Sequence, residues 1–497
     1  MIRFGPFQID PRTWTLSREG QAVDLSPRLV EILAYFASRP GDIVTKEELL
    51  ERFWAGVNIT DNTLTRAIAD IRIALDDSAS EPRYIQTLAR RGYRFIEPAT
   101  QSPKPPAFAE ATAGKQAPGP KPSDPFEDWV KGRLALESLD LSQLPAAIAA
   151  FERAVAELPS YAPAYAGLAN AYLMQFETTR FTNVPDRALI ERAITAARRS
   201  CSVDPTLGEG WAVLGYLLYA AGQVGEGQAA ARRATALEPD NWRHQFRLAY
   251  ATWGEERLRA ADRLLSLMPT FAPAYMLSAT VFVARGALAR AEQETTRGAE
   301  LQRQGKGDHM PMQAAGLHWV RGLVMAARGE PGEALRSFDE EISAGADGHV
   351  YGREFASNAL VAAGFILLSR DDHQAAVEKF TRALASTPSH ARATLGLVAA
   401  RIRSGDTRLS DDTLAPVHKV IDELNRGGRA QEAALVAAGE QVVRGRADEA
   451  VTLLTAMLDQ APAGPAGWII PVDPMLTAVR FSNGRTVLLA KLAARAS

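Results

Sequence analysis

Asp61-Asn62-Thr63-Leu64-Thr65-Arg66-Ala67-Ile68-Ala69-Asp70-Ile71-Arg72-Ile73-Ala74-Leu75 is the stretch whose reading decides the N-terminal fold. Leu64, Ile68, Ile71 and Leu75 follow a four-three-four rhythm, which predicts one buried seam on a helix. The opposite side offers Asn62, Thr65, Arg66, Ala69 and Arg72, a face the core does not need. Upstream, Phe4-Gly5-Pro6-Phe7-Gln8-Ile9, Trp14-Thr15-Leu16 and Ala22-Val23-Asp24-Leu25 are short runs broken by turn residues, which predict a small antiparallel sheet. Ser26-Pro27 opens a helix with Leu29, Ile32, Leu33 and Phe36 on its apolar face, and Pro40-Gly41 ends it. Thr45-Lys46-Glu47-Glu48 reads as a capping box before Leu49, Leu50, Phe53 and Trp54. Downstream, Tyr84–Leu88 and Gly92–Ile96 read as two strands joined around Ala89-Arg90-Arg91.

This order and spacing of Leu25-Ser26-Pro27, Pro40-Gly41, Val44-Thr45, Glu47-Glu48-Leu49-Leu50, Trp54, the helix, Ile85-Gln86-Thr87 and Gly92-Tyr93-Arg94-Phe95 resembles the winged-helix DNA-binding domain of the OmpR/PhoB type. The resemblance covers residues 2–97. It implies that the third helix enters the major groove and the hairpin wing touches the adjacent minor groove. Asn62, Thr65, Arg66 and Ala69 are then expected at base edges or nearby phosphates. Ala69 can touch a thymine methyl, and an Asn or Arg can read a base edge with two bonds. Trp54, Arg72 and Thr87 are expected on the sugar-phosphate backbone, with Arg90 and Arg91 in the wing. Three positions depart from the family. Ala69 and Asp70 stand where many relatives carry basic residues, and Ala89 replaces a frequent wing Arg. Modest affinity for a single site, and a need for paired sites, follow. The wing domain starts at residue 2, with no receiver domain ahead of it, so aspartyl phosphorylation is not the expected input.

The charge distribution permits only a local nucleic-acid patch. The chain has 56 Lys+Arg against 58 Asp+Glu, a net charge of −2, and residues 1–98 hold 13 against 14. There is no global field to attract a polyanion. Arg83, Arg90, Arg91 and Arg94 nevertheless fall within twelve residues that contain no acid. Arg94 is expected to pair inside the wing, and Arg90 and Arg91 to reach phosphates. The one cysteine, Cys201, excludes an internal disulfide and a cysteine zinc cluster, and suits a reducing compartment.

Residues 99–125 change character. Seven of the 25 residues from Gln101 to Pro125 are proline, which predicts a semi-extended tether between residues 1–98 and 126–497. Beyond it one spacing recurs: Ala147, Phe151, Ala154, Pro159; Ala193, Ala197, Ser200, Pro205; Gly227, Ala231, Ala234, Pro239; Ala376, Phe380, Ala383, Pro388; and Ala450, Leu454, Met457, Pro462. Steps of four and three keep these residues on one helix face, small residues admit a close neighbour, and Pro ends each helix. With partner helices upstream, such as Trp211-x2-Leu214-Gly215, the pattern resembles the tetratricopeptide repeat, with about eight helix pairs. The tail from Pro471 to Leu492 is expected to cover the last repeat. Tyr216, Tyr219, Phe246, Tyr250 and Trp253 are candidates for an aromatic groove, with Phe246, Tyr250 and Trp253 forming one stripe at i, i+4 and i+7. Packing between helices is the favoured reading of that stripe.

The expected fold class is therefore mainly α: an N-terminal α+β winged helix followed by an α-α tetratricopeptide-type solenoid. Phosphate-binding, zinc-protease and serine-hydrolase motifs are absent, and the seven histidines are scattered. No enzyme activity, metal or cofactor is expected. Leu264 to Ala284 is uncharged, but Pro269 and Pro273 argue against a membrane span, and Met1–Phe7 lacks signal-peptide shape. The reading is a cytoplasmic bacterial one-component transcription regulator that does not contact a membrane. Its expected partners are double-stranded DNA, a protein or small ligand of the repeat domain, and RNA polymerase. The alternative is a repeat-based scaffold whose winged helix binds protein.

Overall fold

The computed structural model describes residues 2–10, 15–23, 25, 27–54, 61–78, 82–88, 91–97, 100–101, 125–137, 141–179, 185–304, 314–345 and 351–497. The chain divides into two units, Met1–Pro122 and Ser123–Ser497.

The first unit begins with four strands, β1 (Ile2–Phe4), β2 (Phe7–Asp10), β3 (Thr15–Arg18) and β4 (Gln21–Val23). They form an antiparallel meander, each strand pairing with the one before it. Three helices follow: α1 (Pro27–Ala37), α2 (Lys46–Trp54) and α3 (Asp61–Leu75). A second sheet is built from β5 (Ile43–Val44), β6 (Ile85–Leu88) and β7 (Gly92–Phe95), with β7 in the centre. The last strand, β8 (Thr100–Gln101), pairs with β1. The first sheet therefore extends past residue 98, where composition placed the boundary. Hydrogen bonding to the edge of β1, not composition, decides where this strand ends.

One core serves both sheets. Phe4, Phe7, Tyr84 and Phe95 meet at ring-centroid distances of 5.2–5.7 Å, joining the meander to the hairpin. The α3 seam is as the spacing predicts: Leu64, Ile68, Ile71 and Leu75 are all buried, with Ala67 beside them. Gly92 lies in the left-handed half of backbone space, and a Cβ there would stand 2.1 Å from the Val44 carbonyl oxygen. Only glycine lets β5 and β7 approach so closely.

The second unit is helical. Among the described residues, eighteen helices form nine antiparallel pairs from Pro125 to Gln460, one more than the spacing predicts. They are α4 (Pro125–Glu137) with α5 (Leu144–Glu157), α6 (Ala162–Thr179) with α7 (Arg187–Val203), and α8 (Gly208–Ala220) with α9 (Val224–Leu237). Next come α10 (Trp242–Ala251) with α11 (Gly254–Leu267), α12 (Ala272–Ala284) with α13 (Leu288–Gln304), and α14 (Leu317–Ala327) with α15 (Pro331–Ala344). The last are α16 (Gly352–Ser369) with α17 (His373–Ser386), α18 (Ala391–Arg403) with α19 (Asp411–Arg426), and α20 (Ala430–Val443) with α21 (Ala447–Gln460).

The recurring spacing has a direct packing meaning. Phe151 and Phe380 are fully buried. Phe380 is clamped between Gly364 of its own pair and Gly396 of the next, where added Cβ atoms would fall 2.7 and 2.2 Å from its ring. Phe151 sits the same way between Gly132 and Gly167. A large knob on the second helix thus demands no side chain on the first helices facing it. The uncharged stretch Leu264–Ala284 breaks at a turn between α11 and α12. Among the described residues, no helix is long and apolar enough to cross a membrane.

After α21 come a 3-10 helix (Pro474–Phe481) and α22 (Arg485–Arg495). Leu488 and Leu492 are buried in the core they share with α21, so this segment covers the last pair. Its reach is longer than expected. Ile469 and Val472 join the core of α14 and α15, Asp473 pairs with Arg392 of α18, and the Ala496 carbonyl accepts from Arg285 Nε at 2.8 Å. The solenoid curves enough to bring its middle pairs against its own closing segment.

Candidate nucleic-acid interface

Three local devices fix the pose of α3. Thr45 Oγ1 accepts the Glu48 N–H at 3.0 Å, one half of the expected capping box. The Glu48 carboxylate does other work: it accepts from the Tyr35 hydroxyl and from Arg39 at 2.9 Å, tying α2 to α1. Asp77, just past α3, accepts the N–H of Arg83 at 2.7 Å and of Ile85 at 2.9 Å. That carboxylate sets where the hairpin starts, through bonds six and eight residues along the chain that the sequence reading missed. Arg72 Nη2 then donates to the Ile85 carbonyl at 2.7 Å and to Thr87 Oγ1 at 2.8 Å.

The outer face of α3 carries Ala69, Asp70 and Ile73, all exposed, with Ile73 at 78%. A β-branched aliphatic side chain so exposed costs solvation unless something covers it. Ile73 lies one turn beyond Ala69 on the same face, a position that i, i+4 counting from Ala69 could have found. At the hairpin, Thr87 and Arg91 are exposed.

The family described as "Transcriptional regulatory protein, C terminal" matches residues 20–95. The N-terminal unit is an OmpR/PhoB-type winged helix. The transcriptional activator CadC of Escherichia coli is 31% identical over 99 residues, 20% of this chain and 19% of CadC. The cholera toxin homolog transcriptional activator of Vibrio parahaemolyticus is 34% identical over 95 residues, 18% of this chain and 32% of its own length. The chain thus spans about a third or less of these relatives. Among solved structures, the Klebsiella pneumoniae RstA DNA-binding domain, in complex with the RstA box, is 32% identical and covers 19% of this chain and 94% of its own, with a TM-score of 0.18.

Within the winged helix, the expected contact residues separate. Ala69 is on the open face of α3 and Arg91 at the hairpin turn. Arg72 and Thr87, expected on the DNA backbone, are bonded to each other, so Arg72 braces helix against wing. Arg90 and the side chains of Trp54, Asn62, Thr65 and Arg66 lie outside the described residues. The expected pairing of Arg94 is corrected. It forms no ion pair among the described residues, and its Nε is buried without a hydrogen-bond partner. The reason is register: Arg94 lies across from Gln86 and Ile43, neither of which carries a charge.

In the solenoid, the aromatic candidates also divide. Phe246 packs on Phe271 at 5.2 Å. Tyr216 stacks on Tyr250 at 4.8 Å, with Tyr219 edge-on to Tyr250 at 6.2 Å. The helical stripe is corrected at Trp253, which lies outside α10. That helix stops at Ala251 because Gly254 turns the chain with positive φ, and buried Arg257 caps the freed Ala249, Tyr250 and Thr252 carbonyls at 2.9–3.1 Å. Trp253 instead lies beneath the Arg257 guanidinium at 4.7 Å.

Proposed function

We propose that this protein is a sequence-specific DNA-binding transcription regulator, its winged helix selecting the site and its solenoid receiving a protein or small-molecule signal. The observation that carries it is the outer face of α3. Its seam is fully buried while Ala69, Asp70 and Ile73 are left open, beside the exposed Thr87 and Arg91 of the wing. Relatives of the winged helix are transcriptional activators, which supports double-stranded DNA as its ligand. Ala69 and Ile73 suit thymine methyl groups, and Arg91 suits phosphate. This role needs no catalysis. It places the chain with the chromosome and RNA polymerase, in the cytoplasm of a bacterium.

Asp70 and Asp76 are exposed on the same helix and its end, which favours a second reading, a scaffold whose winged helix binds protein. A mobility-shift salt titration on random and selected duplexes tests both. DNA binding weakens steeply with salt, through counterion release. Absence of any shift down to low salt refutes the DNA reading and supports the scaffold.

A further inference from the structure

The buried seam of α3 fixes which side chains stand furthest from the core. At about 100° per residue, Leu64, Ile68, Ile71 and Leu75 gather on one side of the helix, and Ile73 falls almost directly opposite them. Ala69 and Asp70 fall about 40° and about 60° to its two sides. All three are exposed. Arg72, next to Ile73 in sequence, is turned to β6 and held there by Ile85 and Thr87. This face therefore presents a methyl, a branched aliphatic group and a carboxylate, with no cation among its described side chains.

These groups restrict the bases they can meet. Ala69 and Asp70 cannot read guanine with the two-pronged donor that an arginine offers. An ionised carboxylate only accepts hydrogen bonds. In the major groove guanine presents two acceptors, thymine an acceptor and a methyl, and adenine an acceptor beside its amino group. Cytosine alone presents a donor with no acceptor on the same base. Asp70 is therefore satisfied by cytosine and disfavoured by the other three. Ala69 and Ile73 gain from a methyl, which in this groove is thymine's. Asp70 and Ile73 stand three residues apart, about 4.5 Å along the helix, against about 3.4 Å between successive base pairs. The two bases they read are neighbours or one step apart.

We propose that α3 selects pyrimidines, Asp70 accepting from the N4 amino group of a cytosine while Ile73 and Ala69 cover the methyl of a thymine within two base pairs of it. The exposed Arg91 of the wing supplies attraction to phosphate that this face lacks. Asp70 then serves specificity: it weakens binding to every duplex that offers it no amino group. Its exposure has a use in DNA binding and requires no protein partner. The inference rests on the DNA reading proposed above and names the bases that reading leaves open.

The full chain first selects duplexes from a random library. The expected consensus holds a cytosine with a thymine within two base pairs. Replacing that thymine by deoxyuridine removes only the methyl and should weaken binding about fourfold. Replacing the cytosine by N4-methylcytosine keeps its pairing with guanine but blocks the N–H that faces the groove, and should weaken binding about fivefold or more. Ile73 and Asp70 are exposed, so their variants should keep the fold, which circular dichroism checks. Ile73→Ala should lose most of the difference between the thymine and deoxyuridine duplexes. Asp70→Asn removes a negative charge near the phosphates, so it should raise affinity for random duplexes yet lower it for the selected one. A rise on both would mean that Asp70 only repels DNA, and would overturn the proposal. So would a deoxyuridine duplex bound as tightly as its parent, or a consensus without the cytosine and thymine. Each of these results leaves DNA binding standing, because a duplex has been selected. A library from which nothing is enriched removes both the DNA reading and this inference.

Discussion

Arg72 on α3 donates to the Thr87 hydroxyl on β6 at 2.8 Å, and the same nitrogen reaches the Ile85 carbonyl at 2.7 Å. One side chain therefore fixes the angle between the helix and the wing. Truncating Arg72 to Ala leaves those acceptors without this donor, and it should cost about 1–3 kcal/mol. DNA affinity should fall with it, because helix and wing no longer meet the duplex as one body. Amide exchange at Ile85–Leu88 checks the cause. Faster exchange accompanying weaker binding fits a brace, whereas weaker binding with unaltered exchange would return Arg72 to the phosphate backbone.

Arg91 is exposed at the hairpin turn, next to Gly92, which is locked against β5. A phosphate contact from this position adds affinity without sequence preference. Arg91→Ala should weaken binding to all duplexes alike and reduce the slope of log affinity against log salt by about 1. Unequal losses on different sequences would make Arg91 a base reader instead.

What could be read from the sequence was local and periodic. The α3 seam and the small-residue faces of the second helices repeat at helical intervals, so Leu64, Ile68, Phe151 and Phe380 declared their burial. What escaped depends on partners distant in sequence. Arg72 meets β6 thirteen residues later, Asp473 meets Arg392 eighty-one residues earlier, and Arg187 meets Gly427 across 240 residues. Periodicity also overran a real boundary at Trp253, where a positive-φ glycine and a capping arginine outweigh the i, i+4, i+7 pattern.

Gly396 faces the Phe380 ring, where an added methyl would sit 2.2 Å from a ring carbon. Gly396→Ala gains helix propensity of about 1 kcal/mol, yet the clash forces α18 away from α17 and should cost more, about 1–3 kcal/mol. The measurement is the thermal midpoint. Phe380→Leu in the same chain should relieve the clash, so a double variant less destabilised than the sum of the two singles supports this geometry.

Arg392 and Asp473 form a buried pair, with the Asp473 side chain fully covered and its other oxygen accepting the Met475 N–H at 3.0 Å. Arg392→Met leaves that carboxylate without its counter-charge, which should cost about 3–5 kcal/mol. The closing segment should then detach before the repeats unfold. Limited proteolysis is expected to cut between residues 462 and 474 in the variant and not in the parent chain. Equal resistance would mean that the apolar contacts of Ile469 and Val472 hold the segment without the ion pair.

Glu341 on α15 is 2% exposed and accepts the N–H groups of Gly316 and Trp319 at 2.7 and 3.1 Å, at the start of α14. Burial pushes its carboxyl up to about 7, against the opposing pull of those bonds. In the unfolded chain the same group titrates near the ordinary glutamate value of about 4.3. Between these two values the folded chain holds a proton that the unfolded chain releases. The stabilising contribution is therefore complete below the unfolded value and is lost as pH rises through about 7. Glu341→Gln removes this titration. The thermal midpoint of the parent chain, relative to that variant, should fall steadily from pH 5 to pH 8, by the equivalent of roughly 3 kcal/mol. Parallel curves across that range would mean that Glu341 is ionised throughout and that the two backbone bonds outweigh its burial.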